Sequence, residues 1–457
     1  MLAFTLVLFT IFIIFQLLYI FFPLLFAKPG KGFEKLEEEK GFSIIIPAFN
    51  EQKIILDCIK GMVNLQYQNY EAIFVNDGST DETLELLTSH LQLEPTKRKL
   101  PAIKIPHQRV NEVYRSKLFP KIFVIDKHNG GKADSLNAGT EYSVKKFIVT
   151  LDADSVLDPK ALQALNSAFE DERVLAAGGM VQIGQGFEGN YLKPTPTFKK
   201  SGIIKYQVLQ YLTSFYLHKL TQTKMKSIIV IAGAFGAFRK EALLAVDGYR
   251  KTVGEDMDIT LRLHQLIKTT KKYQHMKLIF VPYALCYTEC PESFKDLYNQ
   301  RIRWQKAFID CVLYYKKSFI KKLGVRVSTF FLLESLLLGT INAFFLILIP
   351  IMFLFNQDHY MIAVALFTIT VLLSSYQSIA TVIVSNRYGI TYSLSNYIKI
   401  ALFIPFEVIT YRLLGILFVI NGTVGYFKNK DSWYVSKRIG TNSSFVDDKT
   451  YEHNQAV

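Results

Sequence analysis

A chain of 457 residues is longer than one hydrophobic core usually serves, so it should hold one large domain and at least one further unit. With 50% hydrophobic and only 20% charged residues, and a mean hydropathy of +0.19, it is too apolar for a disordered chain or an ordinary soluble enzyme. Fifty-three Lys and Arg against 39 Asp and Glu give +14, an excess suited to nucleic acid, an anionic membrane surface or phosphate-rich ligands.

The first predicted element, Leu2 to Ala27, runs twenty-six residues without a charge, enough to cross about 30 Å of hydrocarbon at ~1.5 Å per residue. Lys28, Lys31 and Lys35 follow it, which places the amino terminus outside and the next segment in the cytosol. From Lys28 to Gly324 no comparable apolar run occurs, so residues 28–324 read as one cytosolic domain. Cys58, Cys286, Cys290 and Cys311 show no zinc spacing and fit a reduced compartment.

Within that domain the β-branched run Phe42 to Ile46 predicts a strand, and the spacing of Ile55, Cys58, Ile59 and Met62 predicts a helix over 51–65. A strand at Ala72 to Val75, a capped turn Asn76 to Asp81 and a helix over 82–91 come next. Lys121 to Ile125, Lys132 to Val144 and Lys146 to Leu151 continue the alternation. Such a βαβαβαβ order predicts an α/β, Rossmann-like and mostly parallel sheet, with its ligand site beyond the carboxyl ends of the strands.

Asp77, the Asn129-Gly130-Gly131-Lys132 turn and Asp152-Ala153-Asp154 all fall at those ends. Neither GxGxxG nor GxxxxGK[ST] is present, so another nucleotide mode is needed. Two carboxylates at i and i+2 on a strand end can hold Mg²⁺ or Mn²⁺ against a diphosphate, although Asp at strand ends is commonly structural. Asp158-Pro159 reads as a helix cap. Gly131 and Lys132 offer backbone N–H groups and a cation to phosphate, or simply form a turn. The acidic run Glu255-Asp256-Met257-Asp258 opens a helix and could serve its dipole or supply a base. Gln300-Arg301-Ile302-Arg303-Trp304 packs cations, an amide and an aromatic into five residues, as an amphipathic surface helix also would.

Two further spans are predicted at Leu336 to Phe355 and Tyr360 to Ser385, followed by Ile400 to Tyr426, which carries Pro405, Glu407 and Arg412. Those charges, and a tail (427–457) holding Lys428, Lys430, Lys437 and Arg438, favour a re-entrant or interfacial segment over a third carboxyl-terminal span. The membrane region is thus 325–426. The basic stretch Pro95 to Lys121 reads as a solvated loop or a contact for anionic headgroups, and the aromatic stripe of Leu209 to Leu220 as core or sugar platform.

Taken in order, FSIIIPAFNE, VNDGSTD, NGGKADSLNAG, LDADS, GAFGAFR, VGEDMDI and QRIRW resemble the membrane-integrated family 2 glycosyltransferases of the GT-A fold. That group includes cellulose, hyaluronan, chitin and poly-N-acetylglucosamine synthases. The resemblance implies an inverting transferase with a nucleotide-sugar donor, commonly a UDP-sugar, and a divalent cation, Mg²⁺ or Mn²⁺. By position it implies Phe49, Glu51 and Asp77 at the base and ribose, Lys132 and Asp152 near the nucleotide, and Asp154 on the metal. Asp256 matches the general base, and Gln300, Arg303 and Trp304 the motif that serves diphosphate and acceptor. Gly254 replaces the Thr usual before Glu-Asp in cellulose-synthase-like members, so cellulose is not expected. GAFGAFR (Gly233 to Arg239) looks more like the poly-N-acetylglucosamine type.

The expected function is a processive β-linked polysaccharide synthase in the cell membrane, acting on a carbohydrate or lipid acceptor, with an accessory subunit as a further partner and no nucleic acid. Two competitors are single-sugar transfer to a lipid and a non-catalytic nucleotide-binding receptor, which would need no base.

Overall fold

The computed structural model describes residues 2–27, 32–34, 36–98, 100, 103–344 and 360–429. Two compact units result. In one, segments 36–195 and 230–290 build a ten-stranded sheet; the other is made of 2–27, 196–229 and 291–429 and is helical. The domain read from the sequence as 28–324 is therefore divided, because 196–229 and 291–324 pack with the apolar helices.

In the sheet unit the strands are β1 (Phe42–Ala48), β2 (Tyr70–Asn76), β3 (Leu93–Pro95), β4 (Val110–Ser116) and β5 (Ile122–Lys127), followed by β6 (Phe147–Leu151), β7 (Ser155–Leu157), β8 (Val174–Ile183), β9 (Phe235–Arg239) and β10 (Lys277–Thr288). Their spatial order is β3-β4-β5-β2-β1-β6-β9-β8-β10-β7. Seven strands run in one direction; β4, β7 and β9 run against them. At the centre β5, β2, β1 and β6 are mutually parallel, so their carboxyl ends share one edge. β1 carries apolar residues on both faces and is buried except at half-buried Pro47, as suits a central parallel strand. Pro47 is tolerated there because pairing with β6 ends at Ile45, leaving β1 bordered by β2 alone.

Helices Ile55–Val63, Thr83–Leu91 and Lys132–Tyr142 fill the predicted crossovers, each one to four residues shorter at its start or end than the periodicity suggested. Close approach of the last to β1 depends on Gly139, where a Cβ would lie 2.3 Å from Ile45 Cγ2. Ordinarily Gly→Ala in a helix stabilises by about 0.4–1 kcal/mol, but overpacking costs about 1–3 kcal/mol and decides the sign here. Gly139→Ala should therefore lower the melting temperature of the detergent-solubilised protein. An unchanged or raised value would show that the two elements can separate freely.

The basic stretch 95–121 is not simply a solvated loop. It contributes β4, which pairs with β3 on one side and β5 on the other, and its Arg98 pairs with buried Glu71 while lying over the Phe123 ring at 4.1 Å. Arg98 is thereby committed inside the protein rather than to a headgroup.

Among the described residues of the helical unit, four helices are long and apolar enough to cross a membrane: Leu6–Phe26, Val325–Phe344, Val364–Arg387 and Leu394–Lys428. The second begins eleven residues before the predicted Leu336, and 345–355 lie outside the described residues, as do Lys28, Lys31, Lys35 and the tail beyond 429. Residues 400–426 belong to one unbroken helix of 35 residues. The stripe Leu209 to Leu220 belongs to a helix that passes from Gly202–Thr213 through a π-helical turn, Ser214–Lys219, to Leu220–Met225. Its Leu209, Phe215, Tyr216 and Leu217 are buried, which makes the stripe core. All four cysteines are buried.

Candidate active site

At the edge where the parallel strands end, the chain turns in four places. After β1, Phe49 is exposed and Asn50 takes a left-handed φ of 57°; its Oδ1 accepts from Thr80 N at 2.8 Å, and Glu51 N donates to Thr83 Oγ1 at 2.8 Å. These bonds lock the Phe49–Glu51 turn to the turn after β2. Asn tolerates left-handed backbone better than most residues, a reason for Asn at position 50 that motif reading did not exploit.

Asp77, at the end of β2, is buried, and its carboxylate accepts from Gly130 N at 3.0 Å and Gly131 N at 2.7 Å. The fully buried Lys127 also donates to Asp77 and lies 2.7 Å from Asp134. Thus Asp77, expected at the base and ribose, clamps the glycine turn in this structure, with Lys127 as its counter-ion. Gly131 has φ 93°, which a side chain would resist, and it launches the helix that begins at Lys132. Lys127 escaped motif reading because a lysine at a strand end carries no local signal of a partner fifty residues away.

Lys132 lies 2.6 Å from Asp152 Oδ1 and 3.2 Å from Glu255 Oε1. Burial works against its charge, but Asp152 and Glu255 more than compensate and hold its ammonium above the ordinary lysine range. Conversely, burial pushes the Glu255 carboxyl up while Lys132 draws it down and Asp256 raises it. Beside them Asp256 accepts from Met257 N at 2.7 Å and from Gly233 N at 3.3 Å, which ties the GAFGAFR segment to the acidic helix. Asp258 is different: it is wholly buried and held by Arg250 at 2.8 Å, a structural ion pair.

Asp154 is buried, and its Oδ1 accepts from the hydroxyls of Ser155 at 3.1 Å and Thr288 at 3.3 Å. Among the described residues no cluster of three or more His, Cys, Asp or Glu forms a ready-made metal site. Two carboxylates with hard oxygen donors still fit a Mg²⁺ or Mn²⁺ ion that completes its shell with phosphate oxygens and water. Thus the structure brings Lys132, Asp152, Glu255 and Asp256 together.

Residues 43–246 match the model of the glycosyl transferase family 2 domain, and 147–379, just over half of the chain, that of glycosyl transferase family group 2. The chain belongs to glycosyl transferase family 2. This family 2 glycosyltransferase is 27% identical over 282 residues to a poly-beta-1,6-N-acetyl-D-glucosamine synthase of Staphylococcus aureus, covering 61% of this chain and 57% of that protein. To the corresponding protein of Staphylococcus epidermidis it is 27% identical over 298 residues, 64% and 61% of the two chains. The match spans about three fifths of the length of these curated relatives. Among solved structures, the mannosyltransferase PcManGT from Pyrobaculum calidifontis, in complex with GDP-Man and Mn²⁺, shares the fold with a TM-score of 0.50 at 14% identity. That likeness covers 92% of this chain and 99% of PcManGT. The glycosyltransferase unit is accordingly a GT-A fold, as its motifs implied.

Gln300, Arg303 and Trp304 of this glycosyltransferase lie in the helix Phe294–Tyr315 of the helical unit. Trp304 is 41% exposed, and the guanidinium of Arg301 stacks over its ring at 4.0 Å. Arg301 is itself buried and donates to Gln210 at 2.7 Å and to Tyr411 at 3.3 Å. Sequence reading passed over Arg301 in favour of its neighbours, yet it is the cation that orients the tryptophan.

Proposed function

We propose that this glycosyltransferase transfers sugar from a UDP-sugar with inversion and extends a β-linked polysaccharide of the poly-N-acetylglucosamine type, from a cytosolic active site in the cell membrane. The observation that carries this reading is the meeting of Lys132, Asp152, Glu255 and Asp256 at the carboxyl edge of the parallel strands. The Staphylococcus relatives supply the class of product.

Inversion by single displacement needs one base and no covalent nucleophile, with positive charge to hold the departing diphosphate. In this reading Asp256 receives the proton of the acceptor hydroxyl; the backbone N–H groups of Gly233 and Met257 orient its carboxylate. Lys132 turns from Asp152 and Glu255 toward the donor phosphates. Asp154, with Asp152, would hold a divalent cation, which when bound offsets the charge growing on the leaving group. Phe49 and Glu51 from the turn after β1, and Asp77 from beside the glycine turn it clamps, serve the base and ribose. By their match to the family motif, Gln300, Arg303 and Trp304 serve the diphosphate and the acceptor.

A panel of radiolabelled UDP-GlcNAc, UDP-Glc, UDP-GlcA and GDP-mannose, offered to membranes containing the protein with Mg²⁺ or Mn²⁺, tests the proposal. A ladder of long polymer from UDP-GlcNAc is the expected product. A single organic-soluble glycolipid would replace the synthase reading with transfer to a lipid, and nucleotide binding without turnover would leave a receptor.

A further inference from the structure

Tyr249 is buried, and among the described residues its hydroxyl has no hydrogen-bond partner. An enclosed hydroxyl without a partner is costly, and native structures keep few of them. The rest of Tyr249 is held firmly. Its N–H donates to Asn137 Oδ1 at 2.6 Å, the Asn137 amide donates to its carbonyl at 3.0 Å, and its ring meets that of Phe238 edge to face with centroids 6.3 Å apart. On either side of it, Arg262 donates to the carbonyl of Gly248 at 2.7 Å and Arg250 pairs with Asp258 at 2.8 Å.

These contacts wedge Tyr249 between the two helices that meet at the site. Asn137 lies in the helix that Lys132 opens, and Asp258 and Arg262 lie in the helix that Glu255 opens. The ion pair of Lys132 with Glu255, at 3.2 Å, ties the same two helices together. Burial holds the Tyr249 phenol well above the ordinary tyrosine range, and the carboxylates of Glu255 and then Asp256 raise it further. The phenol therefore keeps its proton at neutral pH, beside two carboxylates that are close enough to act on it. It is a hydrogen-bond donor whose bond is not made.

The proposed reaction supplies the occasion for that bond, and the inference rests on that reading. Lys132 reaches the donor phosphates only by leaving Asp152 and Glu255, and it leaves them unequally placed. Asp152 has 28% of its side chain exposed and can return to water, whereas Glu255 has 13% and stands beside Asp256, a like charge. An enclosed carboxylate deprived of its cation is strongly destabilised unless another donor takes the cation's place. We propose that Tyr249 is that donor, a positioning residue whose hydroxyl bonds the Glu255 carboxylate when Lys132 turns to the diphosphate, so that donor binding strands no buried charge beside the base. The unpartnered hydroxyl of the free protein is the donor held ready for that state.

Tyr249→Phe removes only the hydroxyl and keeps the ring against Phe238, so the free protein should melt at the same temperature or higher. UDP with Mn²⁺ is titrated calorimetrically into the full-length, detergent-solubilised protein and its variants, which makes the test independent of the sugar transferred. Tyr249→Phe should weaken UDP binding by ~10-fold or more, the scale of one hydrogen bond to a charged group. In a Glu255→Gln background, where no charge is stranded, the same substitution should change UDP affinity by less than about twofold. Equal losses in both backgrounds would mean that the hydroxyl acts on the nucleotide itself and would overturn the assignment, as would native affinity in Tyr249→Phe alone. A lowered melting temperature with UDP binding lost in both backgrounds would make Tyr249 structural and overturn it too. Native protein that binds no UDP would overturn the donor reading, and this role with it, so the two failures are told apart by the native titration.

Discussion

Asp256→Asn should lower sugar transfer by ~10²–10⁴-fold while UDP binds with nearly native affinity, because a general base acts on the acceptor and not on the nucleotide. Asparagine keeps the volume, and its amide oxygen can still accept from Met257 N or Gly233 N, so the loss reports basicity rather than shape. A carboxylate serving only the dipole of the helix Glu255–Thr269 would behave differently. Its removal would cost about 0.3–1 kcal/mol of stability and leave turnover per folded molecule intact. Measuring UDP affinity and transfer on one purified variant separates the two. Native-like turnover would turn attention to Glu255, whose carboxyl burial already pushes up, and not to Asp258, which is committed to Arg250.

Asp154→Asn should abolish transfer and remove the metal-dependent part of UDP affinity, leaving binding without metal almost unchanged. Its hydroxyl partners, Ser155 and Thr288, can donate to an asparagine oxygen as well as to a carboxylate, so the strand end should hold its shape. Calorimetric titration of UDP with and without Mn²⁺ is the decisive measurement. A variant whose UDP affinity still rises with metal would assign Asp154 to structure and place the cation elsewhere.

The central sheet was legible because its strands are short β-branched runs closed by turn residues, and the helices between them keep a 3.6-residue period. β4 was not, since Val110-Asn111-Glu112-Val113-Tyr114-Arg115-Ser116 mixes charges into a strand that the three-residue β3 only partly flanks and whose 111, 112 and 115 positions are exposed. That segment 196–229 groups with the helical unit was hidden for a related reason. Its lysines and His218 lower its hydropathy below that of a span, although Leu209, Tyr216 and Leu217 bury themselves among apolar helices. The site was legible as a set of motifs, because glycine turns and strand-end carboxylates are short-range patterns. Which partner each side chain takes was not. Asp77 engaging Lys127, and Lys132 bridging Asp152 and Glu255, are choices among several opposite charges that only three-dimensional packing makes.

The clasp of Arg387 on the carbonyls of Leu24 and Ala27 joins residues 360 or more positions apart in the chain, and this fixes an order of events at the ribosome. All strands of the sheet unit have been made once residue 288 has emerged, so that unit can fold while synthesis continues. Arg387 emerges only some hundred residues after that, although the amino-terminal helix it clasps was made first. In the interval its terminal carbonyls must be satisfied by water or lipid headgroups, and nascent chains halted before Arg387 should carry a finished sheet beside an unassembled helical unit.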